Sequence, residues 1–126
     1  LVAILKLGRG RVFAGVPESE LRQFRASMYH VEARIVDAAL QVTDRALEAG
    51  DLGLARWALT QGLLVSPDHE DLVAGCLRTE YQAGNMDKVA ELVDHLSATA
   101  RRLGVDLNED TTRIIDTVTH ADRRAS

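Results

Sequence analysis

Four polar side chains, Asp37, Gln41, Asp44 and Glu48, recur at steps of three and four, which puts them on one face of a helix. Thirty-four residues further along, the matching positions hold Asp71, Gly75, Arg78 and Gln82, with Tyr81 beside them. Carboxylates, an arginine and a tyrosine on two such stripes carry the chemistry of recognition: ion pairing, hydrogen bonding and aromatic contact. The competing reading is a solvated helix face. The candidate partner-binding groove is Asp37, Gln41, Asp44, Glu48, Asp71, Arg78, Tyr81 and Gln82.

Residue types that could carry catalysis or hold a metal are not spaced to do so. Cys76 lies among Leu72, Val73 and Leu77 with no activating base nearby in sequence, so it reads as a small buried hydrophobe. His69-Glu70-Asp71 are consecutive, and consecutive side chains on a helix diverge. Their position suits a helix first turn, where carboxylates complement the dipole. His30, His95 and His120 have no cysteine at ligand spacing. His120 and Asp116, four apart, are expected to form a surface pair. Gly8-Arg9-Gly10 lacks the preceding strand and the following spacing of a phosphate loop. No catalytic, cofactor or metal residue is assigned, and an enzyme is not expected. Arg9, Arg11, Arg22 and Arg25 form the one basic concentration, with Glu18, Glu20 and Glu32 nearby to neutralise it; phosphate contact is the sharper alternative.

The elements that position the stripes follow from a phrase that returns. Glu48-Ala49-Gly50-Asp51-Leu52 is echoed by Gln82-Ala83-Gly84-Asn85-Met86, an offset of 34 residues between Gly50 and Gly84. That is the period of a tetratricopeptide-type helix–turn–helix unit. Such a unit cannot bury its apolar face alone, so copies stack, and the first helices of successive units line a concave surface.

The spacing predicts a long helix over 18–49, opened by Pro17 and by Glu18 and Glu20. Its apolar stripe runs Leu21, Phe24, Met28, Val31, Ile35, Ala39, Val42 and Ala46, with Val36, Leu40 and Leu47 adding a second face. Gly50 ends it, and a helix over 51–65 follows with Leu52, Ala55, Leu59 and Leu63 on one side. Ser66-Pro67-Asp68 stops that helix and starts another over 68–83, capped by Ser66 or Asp68. After Gly84, Met86, Val89, Val93, Leu96, Ala100 and Leu103 form a further stripe ended by Gly104. Asn108-Glu109-Asp110 caps a last helix whose apolar side is Ile114, Ile115, Val118 and Ala121, with Arg123 and Arg124 at its C-terminal end. Trp57, the only tryptophan, is either core or an anchor for a further helix, and packing within the domain is favoured because the apolar residues 1–7 need a partner. Those residues read as the last turns of a helix, and residues 8–17 as a connecting loop. No convincing period-two pattern occurs. The expected fold is all-α, tetratricopeptide-like antiparallel helical hairpins stacked as an α–α superhelix.

At 126 residues and 13.8 kDa the chain fits a single helical repeat domain over 1–126. It starts at Leu1 in mid-pattern, which reads as a piece of a longer protein. A formal charge of −4 argues against a nucleic-acid surface. One cysteine excludes an internal disulfide, and no apolar run approaches the roughly 20 residues that span a bilayer.

With these elements placed, the sequence resembles the bacterial transcriptional activator domain, a helical module of actinobacterial regulatory proteins. The resemblance covers nearly the whole chain. It rests on Arg9-Gly10 and Gly15-Val16 before the long helix, Glu48-Ala49-Gly50-Asp51 with Ala55, and Ser66-Pro67-Asp68-His69-Glu70. Ala83-Gly84 and Leu103-Gly104-Val105-Asp106 complete it. The chain departs from the family pattern at Val93, where tyrosine is common, and at Leu107, where proline is usual. The resemblance implies a cytoplasmic regulatory module that contacts another protein or domains of its own parent chain, with homo-oligomerisation open and no direct contact to nucleic acid. The alternatives are a generic tetratricopeptide-like scaffold in an envelope-associated actinobacterial protein, and a small-ligand-sensing helical domain.

Overall fold

The computed structural model describes residues 17–125, which form five helices. They are α1 (Glu18–Ala49), α2 (Leu52–Val65), α3 (Glu70–Ala83), α4 (Met86–Leu103) and α5 (Glu109–Ala125). Among the described residues there is no strand, so the chain is all-α. The expected helix end at residues 1–7, the loop before Pro17, Arg9, Arg11 and the motif residues 9–16 lie outside the described residues, as do the side chains of Arg123 and Arg124.

The chain divides into two compact units, Leu1–Arg34 and Ile35–Ser126. In the first, α1 opens as expected: the Pro17 carbonyl accepts from the Glu20 and Leu21 amides at 3.0 and 3.2 Å. Leu21, Phe24 and Met28 are half-buried, but Val31 is exposed, so the expected continuous stripe breaks there.

In the second unit the core has two parts. Val36 and Ala39 of α1, Leu59 of α2 and Leu72 of α3 form one. Val73 and Leu77 of α3, Val89 and Leu96 of α4 and Val118 of α5 form the other. Helix α3 contributes to both, and it packs against α2, α4 and α5. The buried line on α1 is Val36, Ala39, Thr43 and Ala46, so the second apolar face anticipated on this helix is part of its core side. Thr43 was not expected there. Its hydroxyl donates to the Ala39 carbonyl at 2.7 Å, which removes the cost of burying it. Thr79 does the same with the Gly75 carbonyl at 2.8 Å.

Helix ends follow cap chemistry with one correction. Gly50, Gly84 and Gly104 all adopt left-handed φ values, of 74°, 77° and 67°, as residues just beyond a helix end do. Asp51 caps α2, its carboxylate accepting from the Leu54 amide at 3.1 Å. Helix α3, however, starts at Glu70 rather than at residue 68. Ser66-Pro67-Asp68-His69 closes a turn, the His69 amide donating to the Ser66 carbonyl at 3.3 Å. Serine first and proline second suit such a turn, so Ser66 and Asp68 are spent on it and His69 becomes the N-cap.

Two glycines set how closely helices approach. A Cβ on Gly62 would lie 2.8 Å from a Leu72 methyl and 3.1 Å from the Ala39 Cβ. One on Gly75 would lie 2.7 Å from a Leu59 methyl. These are the contact points of α2 with α1 and α3.

Candidate functional site

Helices α1, α3 and α5 together line a groove. The link between α1 and α3 is an ion pair, Arg78 to Asp44 at 2.8 Å, between positions 34 residues apart. One turn further along, the Gln82 amide nitrogen donates to the Leu47 carbonyl at 3.1 Å. That carbonyl, in the last turn of α1, also accepts from the Gly50 amide at 3.2 Å, so Gln82 adds a second bond across the helices.

The link between α3 and α5 is a second polar cluster. Glu70 Oε2 accepts from the Asn108 amide at 2.9 Å and from the Thr111 hydroxyl at 2.7 Å. The Asn108 side-chain nitrogen donates to Asp71 at 3.0 Å, and its oxygen caps α5 by accepting from the Thr111 amide at 2.9 Å. Thr111 is buried, so its hydroxyl depends on Glu70. Glu70→Ala leaves that hydroxyl and the Asn108 amide unpaired, at an expected cost of about 1–3 kcal/mol. Amide hydrogen exchange checks it: α5 exchanges faster in the variant, while α2 protection falls only by the global loss. Equal loss across all helices contradicts a local tie.

Between these links lies a groove of about 420 Å³ lined by Leu40 and Asp44 of α1, Asp71, Ala74 and Arg78 of α3, and Asp110, Thr111, Arg113 and Ile114 of α5. A second groove of about 590 Å³ is lined by Asp44, Leu47, Glu48, Arg78, Tyr81 and Gln82. The Asp44–Arg78 pair borders both. The structure thus brings Asp44, Glu48, Asp71, Arg78, Tyr81 and Gln82 to one continuous surface. Asp37 and Gln41 are exposed on α1 and line neither groove. Carboxylates outnumber cations, with Asp44, Glu48, Asp71 and Asp110 against Arg78 and Arg113, and Arg113 stands 3.5 Å from Asp110.

The α5 residues of the groove are absent from the sequence expectation. The reason is a change of period. Glu70 and Glu109 open α3 and α5 and are 39 residues apart, because α4 has 18 residues where α2 has 14 and the connection after it is one longer. A strict 34-residue step from α3 misses these positions.

Beside the groove, Arg56 of α2 grips Glu80 of α3 with two bonds, at 3.0 and 2.9 Å. The Arg56 hydrogen bond holds the Glu80 carboxyl below its ordinary range, helped by a bond from Asn85. Burial, reinforced by the Glu80 charge, pushes the Cys76 thiol up, away from the thiolate form that nucleophilic chemistry needs. His120 Nδ1 bonds the Asp116 backbone carbonyl at 2.7 Å, so the expected side-chain pair is not formed. Trp57 is 61% exposed, and residues 1–7, its expected partner within the domain, lie outside the described residues. Among the described residues no group of three His, Cys, Asp or Glu is placed to hold a metal, and no helix is long and apolar enough to cross a membrane.

No protein-family model matches this chain, and neither a curated protein nor a solved structure matches it.

Proposed function

We propose that this chain is a tetratricopeptide-like interaction and regulatory module of a bacterial transcriptional activator-type protein, and that the groove of α1, α3 and α5 holds its protein partner. The observation that carries the reading is the Asp44–Arg78 pair: positions one repeat period apart touch, on the two helices that a stacked-hairpin arrangement sets side by side. The sequence resemblance supplies the transcriptional context. The excess of groove carboxylates favours a partner segment that presents lysine or arginine, with Tyr81 available to an arginine plane.

The test is made in the host, on the gene in place. Glu48→Lys, at an exposed position that belongs to neither core cluster, alters the charge of the groove. The expected result is a changed level of a defined set of transcripts at unchanged protein abundance. Unchanged transcripts contradict the regulatory reading.

A small-ligand reading draws on the 420 Å³ of the first groove, which is within the range of small-molecule sites. A metabolite that binds there raises the melting midpoint, whereas a flat panel leaves the protein partner as the occupant.

A further inference from the structure

Helix α2 carries a second apolar stripe on a side that, among the described residues, joins no core cluster. Leu54, Trp57, Gln61 and Leu64 recur at steps of three, four and three and share one side of the helix. The packed side is Ala55, Ala58, Leu59 and Gly62. Leu54 is 41% exposed and Leu64 74%, and with Trp57 they belong to neither core cluster and line neither groove. A helix at such a position normally turns polar outward, and this one does not.

Charge narrows what can cover it. In a chain with 19 acidic residues, α2 has no carboxylate and one cation. That cation, Arg56, is already held by both oxygens of Glu80. The stripe is uncharged, whereas a chain of net charge −4 repels a copy of itself across its acidic surfaces. A basic or acidic segment finds no charge complement here, whereas two such stripes meet without setting like charges against each other.

The stripe is also self-complementary. Laid antiparallel about a twofold axis at the level of Leu59, Leu54 of one copy meets Leu64 of the other, and Trp57 meets Gln61; both pairs share that centre. A buried indole N–H needs an acceptor, and the Gln61 side-chain carbonyl supplies one across the axis. We infer that α2 is the contact helix of an isologous homodimer, built on Leu54, Trp57, Gln61 and Leu64 of each copy. The inference is independent of the groove.

The experiment is sedimentation velocity on the 126-residue chain over a concentration series, with emission from the only tryptophan recorded in parallel. A dimer forms and Trp57 emission shifts to the blue as it does. Leu54→Lys and Leu64→Glu, with helix content checked by circular dichroism, each raise the dissociation constant about tenfold or more. Mixing the two variants restores association, because the mixed pair sets lysine against glutamate at one end and leucine against leucine at the other. A monomer throughout overturns the inference, and one with blue emission shows that Trp57 is covered by its own chain. A dimer indifferent to both variants, or variants that mixing does not restore, overturns it equally.

Discussion

Leu72→Ala lowers the unfolding free energy by about 2–5 kcal/mol, the range for deleting a fully buried leucine side chain. Leu72 has no exposure, and it is the α3 residue that packs with Val36 and Ala39 of α1 and Leu59 of α2. Relaxation around the deletion is limited because the methyls of Leu72 already fill the space over Gly62, where a residue with a side chain would have no room. Three helices lose a shared contact, so the cost belongs in the upper part of the range. Urea denaturation read by circular dichroism measures it, with Leu103→Ala as the control. Leu103 is 61% exposed, and its truncation changes stability by no more than about 0.5 kcal/mol. A Leu72 effect as small as the control contradicts the packing of α1, α2 and α3 around this residue.

Gly62→Val is expected to cost about 2–3 kcal/mol, against the direction of intrinsic helix preference, which favours valine over glycine by a few tenths. The first added carbon meets Leu72 methyls at 2.8 and 3.1 Å and the Ala39 Cβ at 3.1 Å. Leu72 can change rotamer, but the Ala39 Cβ is fixed to its backbone, so α1 and α2 must move apart. Gly75→Ala is the milder neighbour, since its only close contact is the end of the Leu59 side chain. A double-mutant cycle gives the sharper check: in a Leu72→Ala background the Gly62 substitution costs less, because the clashing methyls are gone. Additive costs place the two residues apart and contradict the close approach.

Much of the fold is legible in the sequence because it is written in local terms. The ends of α1 at residues 18 and 49, and the start of α4 at residue 86, follow from Pro17, Gly50 and Gly84, residues whose backbone preferences act over one turn. The start of α3 differs from the expectation because Ser-Pro-Asp suits a turn as well as a helix entry, and here it closes the turn to His69, leaving Glu70 to open the helix and bond Asn108 and Thr111. Glu70 illustrates the general limit. Its partners are 38 and 41 residues away, and a first-turn carboxylate already had a sufficient local reason. Gly62 and Gly75 are silent for a similar reason: a mid-helix glycine costs stability locally, and its justification is a neighbour that the one-dimensional pattern does not show. Trp57 is exposed on α2, and the apolar residues 1–7 that favour its packing within the domain lie outside the described residues.

The groove was half legible. The 34-residue offset pairs Asp44 with Arg78, and those two residues touch. Asp37 satisfies the same arithmetic with Asp71, but Asp71 bonds Asn108 of the chain before α5, while Asp37 stays outside both grooves. Asp110 and Arg113 line the groove only because α4 is longer than α2, which shifts the register that a fixed period assumes.

Occupancy of the groove is read most directly by site-specific photocrosslinking in the host, with the probe at Gln82 in the groove and, separately, at Asp37 outside it. A partner seated there gives a discrete protein adduct from position 82 that Glu48→Lys abolishes, and none from position 37. Adducts of equal yield from both positions, or from position 37 alone, would contradict a partner seated between α1, α3 and α5.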